Sequence, residues 1–396
     1  MFLTEFIKSI YKIMNNTSYI EISKKAYVNN IKFLQKVVGK QTKICSVIKG
    51  NAYGHGYANI IPIAEECGIR HFSVFSAYEA MLAYPFLSSK SQLIIFGYIT
   101  NTQLEWVIEN DIEFYIYNLQ ILKSAIEIAQ RKNKTAKIHI ELETGLNRTG
   151  VDPEYFDELI QTIQENRKLV EVIALCTHFA GAESIANYLR IKSQLILFKK
   201  YNKYFLSKDI APEMLHTASS SAALIYPETR FDMVRIGIAQ YGYWPTQEVL
   251  ISRYNKFGDK ECSLKRVISW KTEIMEIKAI KRGDFIGYGN IFQASRNMLI
   301  AIIPVGYNNG YSRSLSNRGH VLVHGKRVDI LGVVTMNTIS VNIAYLRDVR
   351  IGDEVVLIGN QLKSKISVAS FSEMSNYLNY QVLARLPDNI PRYVVD

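Results

Sequence analysis

Between residues 43 and 238 a short apolar run followed by a longer amphipathic segment recurs eight times, and this alternation restricts the fold more than any other feature. The candidate strands are 44–48, 72–75, 93–96, 112–116, 137–142, 172–178, 214–218 and 232–236. Helical patterns such as 119–130 and 155–165 lie between them, the second announced by Asp152-Pro153. Parallel strands need such crossovers, so eight strand-then-helix units predict a (β/α)8 barrel. The alternation stops at Tyr243-Trp244-Pro245, and a polar stretch over about 245–265 reads as a linker. Beyond it come strand-like runs with Gly-rich turns at 267–280, 285–288, 298–305, 321–323, 328–341 and 354–358, then a helical segment at 368–377. Ile20-Glu21-Ile22 reads as one more strand of this part. The expected class is therefore α/β, an N-terminal (β/α)8 barrel plus a C-terminal all-β domain. The expected divisions are an extension at 1–18, the barrel at 19–250 and the β domain at 251–396.

Composition narrows the function. A 48% hydrophobic and 21% charged chain reads as a soluble globular protein. No apolar run reaches the roughly 18 residues of a membrane span. The first 16 residues are interrupted by Lys8 and Lys12 where a secretory segment would be continuous. They read as a short amphipathic extension, or as an upstream start with Met14 the alternative initiator, and the protein is expected to be cytoplasmic. The net charge of +11 is spread along the chain, which argues against a nucleic-acid surface. Cys45, Cys67, Cys176 and Cys262 are widely separated, so neither a disulfide framework nor a thiolate metal site is expected. His320 and His324 share a β-like string whose even spacing puts both on one exposed face, with no third ligand, so no metal site is expected.

A barrel carries its reactive groups at the C-terminal ends of its strands. Lys49 follows the first candidate strand, Arg148 the fifth and His178 the sixth, while Ser220 follows the seventh and Arg235 closes the eighth. Any one of them has an ordinary structural explanation, but five at one end of a barrel point to a site. A lysine at the end of a buried strand is partly desolvated, which lowers its pKa and makes its amine a usable nucleophile or base.

The string Ile48-Lys49-Gly50-Asn51-Ala52-Tyr53-Gly54-His55-Gly56 resembles the V-K-A-D-A-Y-G-H-G lysine motif of the alanine racemase family, and the likeness continues to the C-terminus. Gly287-Tyr288-Gly289 resembles the family's S-Y-G, 306–310 its G-Y-A-D-G, and 334–337 its C-M-D segment. Asn379-Tyr380 resembles its N-Y-E, and Ile390-Pro391-Arg392 its V-P-R. The resemblance implies a pyridoxal phosphate (PLP) enzyme in which Lys49 bonds the cofactor covalently. Tyr53, Ser220, Gly237 and Ile238 would then hold the phosphate. Arg235, with His178 behind it, would face the pyridine nitrogen, and Arg148 would face the phenolic oxygen and the substrate. Lys49 and Tyr288 would be the two catalytic bases on opposite faces, with the His178–Arg235 pair lowering the Tyr288 pKa. Tyr307 would line the substrate entrance and Tyr380 narrow it, while the Met336 backbone N–H would meet the substrate carboxylate. In the family Tyr288, Tyr307 and Met336 enter the partner subunit's site, which implies a homodimer with shared active sites.

The implied function is interconversion of L- and D-alanine, supplying D-alanine for peptidoglycan. The alternatives are a serine or broad-specificity racemase and a non-catalytic PLP-handling barrel protein. An arginine at the pyridine nitrogen disfavours a decarboxylase, whose partner there is acidic. Several positions depart from the pattern: Asn51, Asn309 and Asn337 replace aspartates, Ser219 an asparagine and Gln381 a glutamate. Glu141 stands where the family carries a carbamylated lysine, and is expected to brace Arg148 with a permanent negative charge.

Overall fold

The computed structural model describes residues 16–258, 264–368, 371 and 379–396. Residues 1–15 of the expected N-terminal extension, Cys262 and nearly all of the 368–377 helix lie outside the described residues. The chain forms two compact units.

The first strand, β1 (Ser18–Ser23), belongs to the unit that holds most of the C-terminal part. The other unit is the barrel. Its strands are β2 (Lys43–Val47), β3 (His71–Val74), β4 (Gln92–Ile95), β5 (Glu113–Ile116), β6 (Ala136–Glu141), β7 (Val170–Cys176), β8 (Met214–His216) and β9 (Met233–Ile236). All pair in parallel, in the spatial order β8-β7-β6-β5-β4-β3-β2-β9. Strands covered on both faces read as continuous apolar runs, and Leu93–Ile95, Phe114–Ile116 and Met233–Ile236 are buried throughout. The seam between β8 and β9 is held by a few bonds: Arg235 N–H donates to Ala218 O at 2.9 Å, Leu215 N–H to the Asp232 carboxylate at 2.7 Å and Asp232 N–H to Leu215 O at 3.1 Å.

Amphipathic helices follow the strands, among them α1 (Lys24–Val38) and α2 (Leu119–Lys132). Asn118 caps the start of α2, and Asn133, in the left-handed conformation, ends it. The polar stretch read as a linker contains a helix instead, α3 (Gln247–Phe257). Thr246 caps its first turn and Gly258, at φ 63°, stops it. Arg253 is buried there, donating to Leu224 O at 3.1 Å and stacking on Phe257, so a charge that reads as solvent-facing packs into the barrel's flank.

The second unit is a sheet ordered β11-β12-β15-β14-β13-β16-β10-β1-β18, with β17 paired to β16. Its other strands are β10 (Ile268–Glu273), β11 (Glu276–Ile280), β12 (Met298–Ile303), β13 (His320–Val323), β14 (Lys326–Leu331), β15 (Ile339–Asn342), β16 (Glu354–Gln361), β17 (Ser364–Ile366) and β18 (Arg392–Val395). Strand β1 lies antiparallel to β10 and parallel to β18. Trp270 and Tyr311, both fully buried, meet in the core. Three expected strands are corrected. The run 267–280 is two strands, β10 and β11, and 328–341 divides into β14 and β15 around the 332–338 loop. The run 285–288 contributes only one bridge, Phe285 to Gln293. His324 is not on the β13 face with His320. It sits in the hairpin turn at φ 48° and bonds the Asp353 carboxylate, while His320 faces Asp329.

Candidate active site

Lys49 follows β2, and the four residues after it turn left-handed. Their φ values are 62° at Gly50, 49° at Asn51, 54° at Ala52 and 52° at Tyr53. A residue with a Cβ loses roughly 1–2 kcal/mol in that region, so the turn must be held from outside. Glu79 does this on one side, accepting from Gly50 N–H at 2.6 Å and Phe75 N–H at 2.7 Å. Within β2, Val47 O accepts from both Gln240 Nε2 and Tyr241 Oη, which fixes the strand end before the lysine. Lys49 is exposed at the end of its strand, yet the surrounding protein displaces enough water to pull its amine below the ordinary lysine value. Arg148 adds to that shift and Glu79 opposes it.

Arg235 projects from β9 and is buried, and its donors are almost fully used. Nη1 reaches His216 Nδ1 at 2.5 Å and His216 O at 3.0 Å. Nη2 reaches Thr177 O at 2.8 Å, Thr217 O at 3.0 Å and His178 Nδ1 at 3.3 Å. Among the described residues the Nε–H has no partner. His178 is held neutral: burial and the charges of Arg235, Arg148 and Lys49 push its pKa down to about 3. The expectation that His178 and Arg235 together supply positive charge is therefore corrected, because Arg235 alone carries it.

Arg148 sits in the loop after β6, which is organised by Glu143. The Glu143 carboxylate accepts from the backbone N–H groups of Gly145, Leu146 and Asn147. The Arg148 guanidinium is exposed and makes no hydrogen bond or ion pair among the described residues. Among the described residues Glu141 makes no ion pair with Arg148, so the expected brace is corrected. Glu141 is buried, its Oε2 has no partner, and burial raises its pKa toward the neutral acid. At the β8–β9 seam Ser220 Oγ accepts from Gly237 N–H at 2.9 Å, which leaves its own O–H to donate. Ile238 opens a 3-10 turn, so its N–H has no intrahelical carbonyl.

The remaining expected residues lie in the second unit. The rings of Tyr53 and Tyr380 meet at 6.1 Å. Arg392 donates to Gly54 O at 2.8 Å and binds the carbonyls of Leu386, Pro387, Asp388 and Ile390, which gives the Ile390-Pro391-Arg392 string a structural task. Tyr288 stands 76% exposed between Gly287 and Gly289, both at positive φ. Tyr307 N–H donates to Thr335 O at 3.0 Å and Asn308 N–H to Met336 O at 2.9 Å, so Tyr307 and Met336 share one backbone unit. The Met336 N–H has no partner among the described residues.

Sequence reasoning missed His216, His139 and Glu113. All three are buried on barrel strands, and His139 Nδ1 lies 2.8 Å from His216 Nε2. His139 Nε2 lies 2.8 Å from a Glu113 carboxylate oxygen. The available signal was polarity inside strands that otherwise read as apolar.

The alanine racemase N-terminal domain family matches residues 22–245 and the C-terminal domain family residues 267–394. An alanine racemase of Leptospira interrogans is 32% identical over 389 residues, covering 96% of either chain. The Bacillus anthracis alanine racemase structure with bound L-Ala-P superposes with a TM-score of 0.88 at 27% identity, covering 97% of this chain and 96% of that one. The Bartonella henselae alanine racemase structure, with covalently bound pyridoxal phosphate, gives 0.81 at 26% identity, covering 96% of this chain and 100% of that one. With matches to both of its domains and near-complete overlap with its members, this chain belongs to the alanine racemase family.

Proposed function

We infer that the chain is a pyridoxal-phosphate-dependent alanine racemase, an isomerase. The observation that carries the reading is Arg235. Its other N–H groups are committed to carbonyls and histidines, and its one unpartnered donor suits an acceptor such as an unprotonated pyridine nitrogen. Arginine does not give up its proton, so that nitrogen stays unprotonated beside it. The Ser220 hydroxyl, the Ile238 N–H and the Gly237 backbone suit a phosphate, and the free Arg148 guanidinium suits the phenolic oxygen and a substrate carboxylate.

Pyridoxal phosphate supplies a conjugated electron sink for the electron pair left at the substrate Cα. Arg235 beside the ring nitrogen would weaken that sink and so favour return of a proton to Cα over transamination. Lys49 Nζ, its basicity lowered by partial burial and Arg148, takes or returns the Cα proton of the D enantiomer. Tyr288 Oη does the same for the L enantiomer. Tyr53 would contact the phosphate, Tyr380 narrow the entrance and Tyr307 line it, while the Met336 N–H would meet the substrate carboxylate. Tyr288, Tyr307 and Met336 serve the partner's site in a homodimer. The enzyme works in the cytoplasm and supplies D-alanine for peptidoglycan.

Asn309, Asn337 and Gln381 depart from the family pattern near the entrance, and they favour a second reading, racemisation of serine or of a broader set. A racemisation screen over the proteinogenic L-amino acids with purified holoenzyme separates the readings. Alanine is expected to turn over fastest. Faster serine turnover would support the second reading, and bound cofactor with no turnover would support a PLP-handling protein without activity.

A further inference from the structure

Arg235 is buried and makes no ion pair among the described residues; Glu141, the buried carboxyl group that senses its charge, is itself pushed toward the neutral acid. A buried arginine ordinarily requires a counter-charge. A hydrogen-bonded route to an ionised carboxylate runs through the barrel interior, from Arg235 to His216 to His139 to Glu113. Every member is at most 6% exposed. Tyr115 stacks on His139, with 18° between the ring planes, and fixes its orientation.

The protons of this chain have one possible arrangement. A guanidinium only donates, so His216 Nδ1 must accept. His216 is then neutral with its proton on Nε2, and donates to His139 Nδ1. His139 must in turn carry its proton on Nε2 and donate to Glu113. A protonated His139 would require His216 to accept at both nitrogens, which only an imidazolate can do. The set is therefore a cation, two neutral imidazoles and a carboxylate, with every donor aimed the same way. Burial alone would raise the Glu113 carboxyl, but the hydrogen bond from His139 opposes it and the group lies below its ordinary value.

We propose that Glu113, His139 and His216 are positioning residues that compensate the Arg235 charge from two imidazole rings away and hold its Nε–H free for the cofactor's ring nitrogen. A carboxylate directly on Arg235 would balance the charge equally well. It would also sit near the ring nitrogen and favour its protonation, undoing the effect of the arginine. The relay places the negative charge at the start of β5, remote from that nitrogen, while keeping the guanidinium in one orientation. This proposal rests on the placement of Arg235 given above for the racemase reading.

The test uses full-length holoenzyme labelled with [15N]histidine, read by magic-angle-spinning NMR. His139 and His216 are expected to be neutral, both with the proton on Nε2. A protonated His139, or His216 carrying its proton on Nδ1, overturns the proposal, and this readout needs neither a variant nor turnover. His139→Leu breaks the relay. His139→Gln preserves it, because the carboxamide oxygen accepts from His216 and its NH2 donates to Glu113. His139→Leu is expected to lower kcat at least tenfold with KM within threefold, and to raise the share of transamination at least fivefold. His139→Gln is expected to stay within threefold of wild type on each measure. A folded His139→Leu protein with wild-type kcat and reaction partition contradicts the proposal. If that variant does not fold, Glu113→Gln, which removes only the charge, is held to the same kcat and partition criteria. A wild-type holoenzyme that racemises no amino acid refutes the racemase reading instead, and leaves the proton arrangement to be judged by NMR.

Discussion

The Glu79 carboxylate is bonded to the Gly50 N–H at 2.6 Å, so the residue directly after Lys49 is tied to the helix that follows the neighbouring strand. That contact sets the start of the left-handed turn and places an anion near the lysine amine. Arg148 places a cation near the same amine, and the two act in opposite directions. Glu79→Gln should lower the Lys49 pKa further, and Arg148→Ala should raise it. The pH dependence of pyridoxal phosphate capture by the apoenzyme reads this, because capture needs the free amine. Midpoints moving in the same direction in both variants would contradict the assignment.

Glu141 gives a prediction about stability. Its folded-state pKa is raised, so the native state binds the proton more tightly than the unfolded chain does. That favours folding below the unfolded glutamate pKa of about 4.3 and is lost as pH rises through the folded value. Glu141→Gln, which resembles the protonated acid, should therefore be more stable than wild type at pH 8, with the gap closing toward pH 4. Because Glu141 does not brace Arg148, activity should stay within about threefold and be indifferent to added bicarbonate. Denaturant titrations at several pH values, with parallel assays, check both parts.

Gly306 holds Tyr307 beside Met336. A Cβ there would lie only 2.4 Å from Met336 O, and closer still to Thr335 O. Gly306→Ala must push the two loops apart, at a cost of about 1–3 kcal/mol. The alanine KM should rise more than kcat falls, because the paired backbone unit carries the Met336 N–H. An unchanged KM would separate this unit from the substrate.

Much of this was legible in the chain. All eight barrel strands announced themselves because strands buried on both faces leave short, largely apolar runs. The lysine motif was legible because Gly54 and Gly56 occupy positive φ, and a Cβ on Gly54 would strike Leu383 O. What failed has identifiable causes. Helix α3 buries Arg253, whose charge reads as surface. The break between β14 and β15 hides in the apolar sequence Val333-Val334, which belongs to a loop held by Asn317 and Ser316 side chains. Glu141 reads as an anion because sequence does not show its burial. The Glu113–His139–His216 contacts join three different strands, and pairings of that kind depend on register.

Shared active sites can be tested by complementation. Lys49→Ala and Tyr288→Phe proteins should each be nearly inactive. Mixed equally under subunit exchange, about half the dimers are mixed and hold one intact site, so about a quarter of wild-type activity should return. Proven exchange without recovery would place both residues of a site in one chain, or remove Tyr288 from the chemistry.

The most direct test of the account is L-alanine incubated with purified, cofactor-loaded enzyme in D2O, followed by polarimetry and by mass analysis of the separated enantiomers. Two bases on opposite faces predict that optical rotation decays to zero and that the first D-alanine formed carries deuterium at Cα, supplied through Lys49. Lys49→Ala should abolish both signals. Persistent rotation with the cofactor bound would contradict alanine racemisation, and first-formed D-alanine retaining its original proton would contradict the two-base assignment of Lys49 and Tyr288.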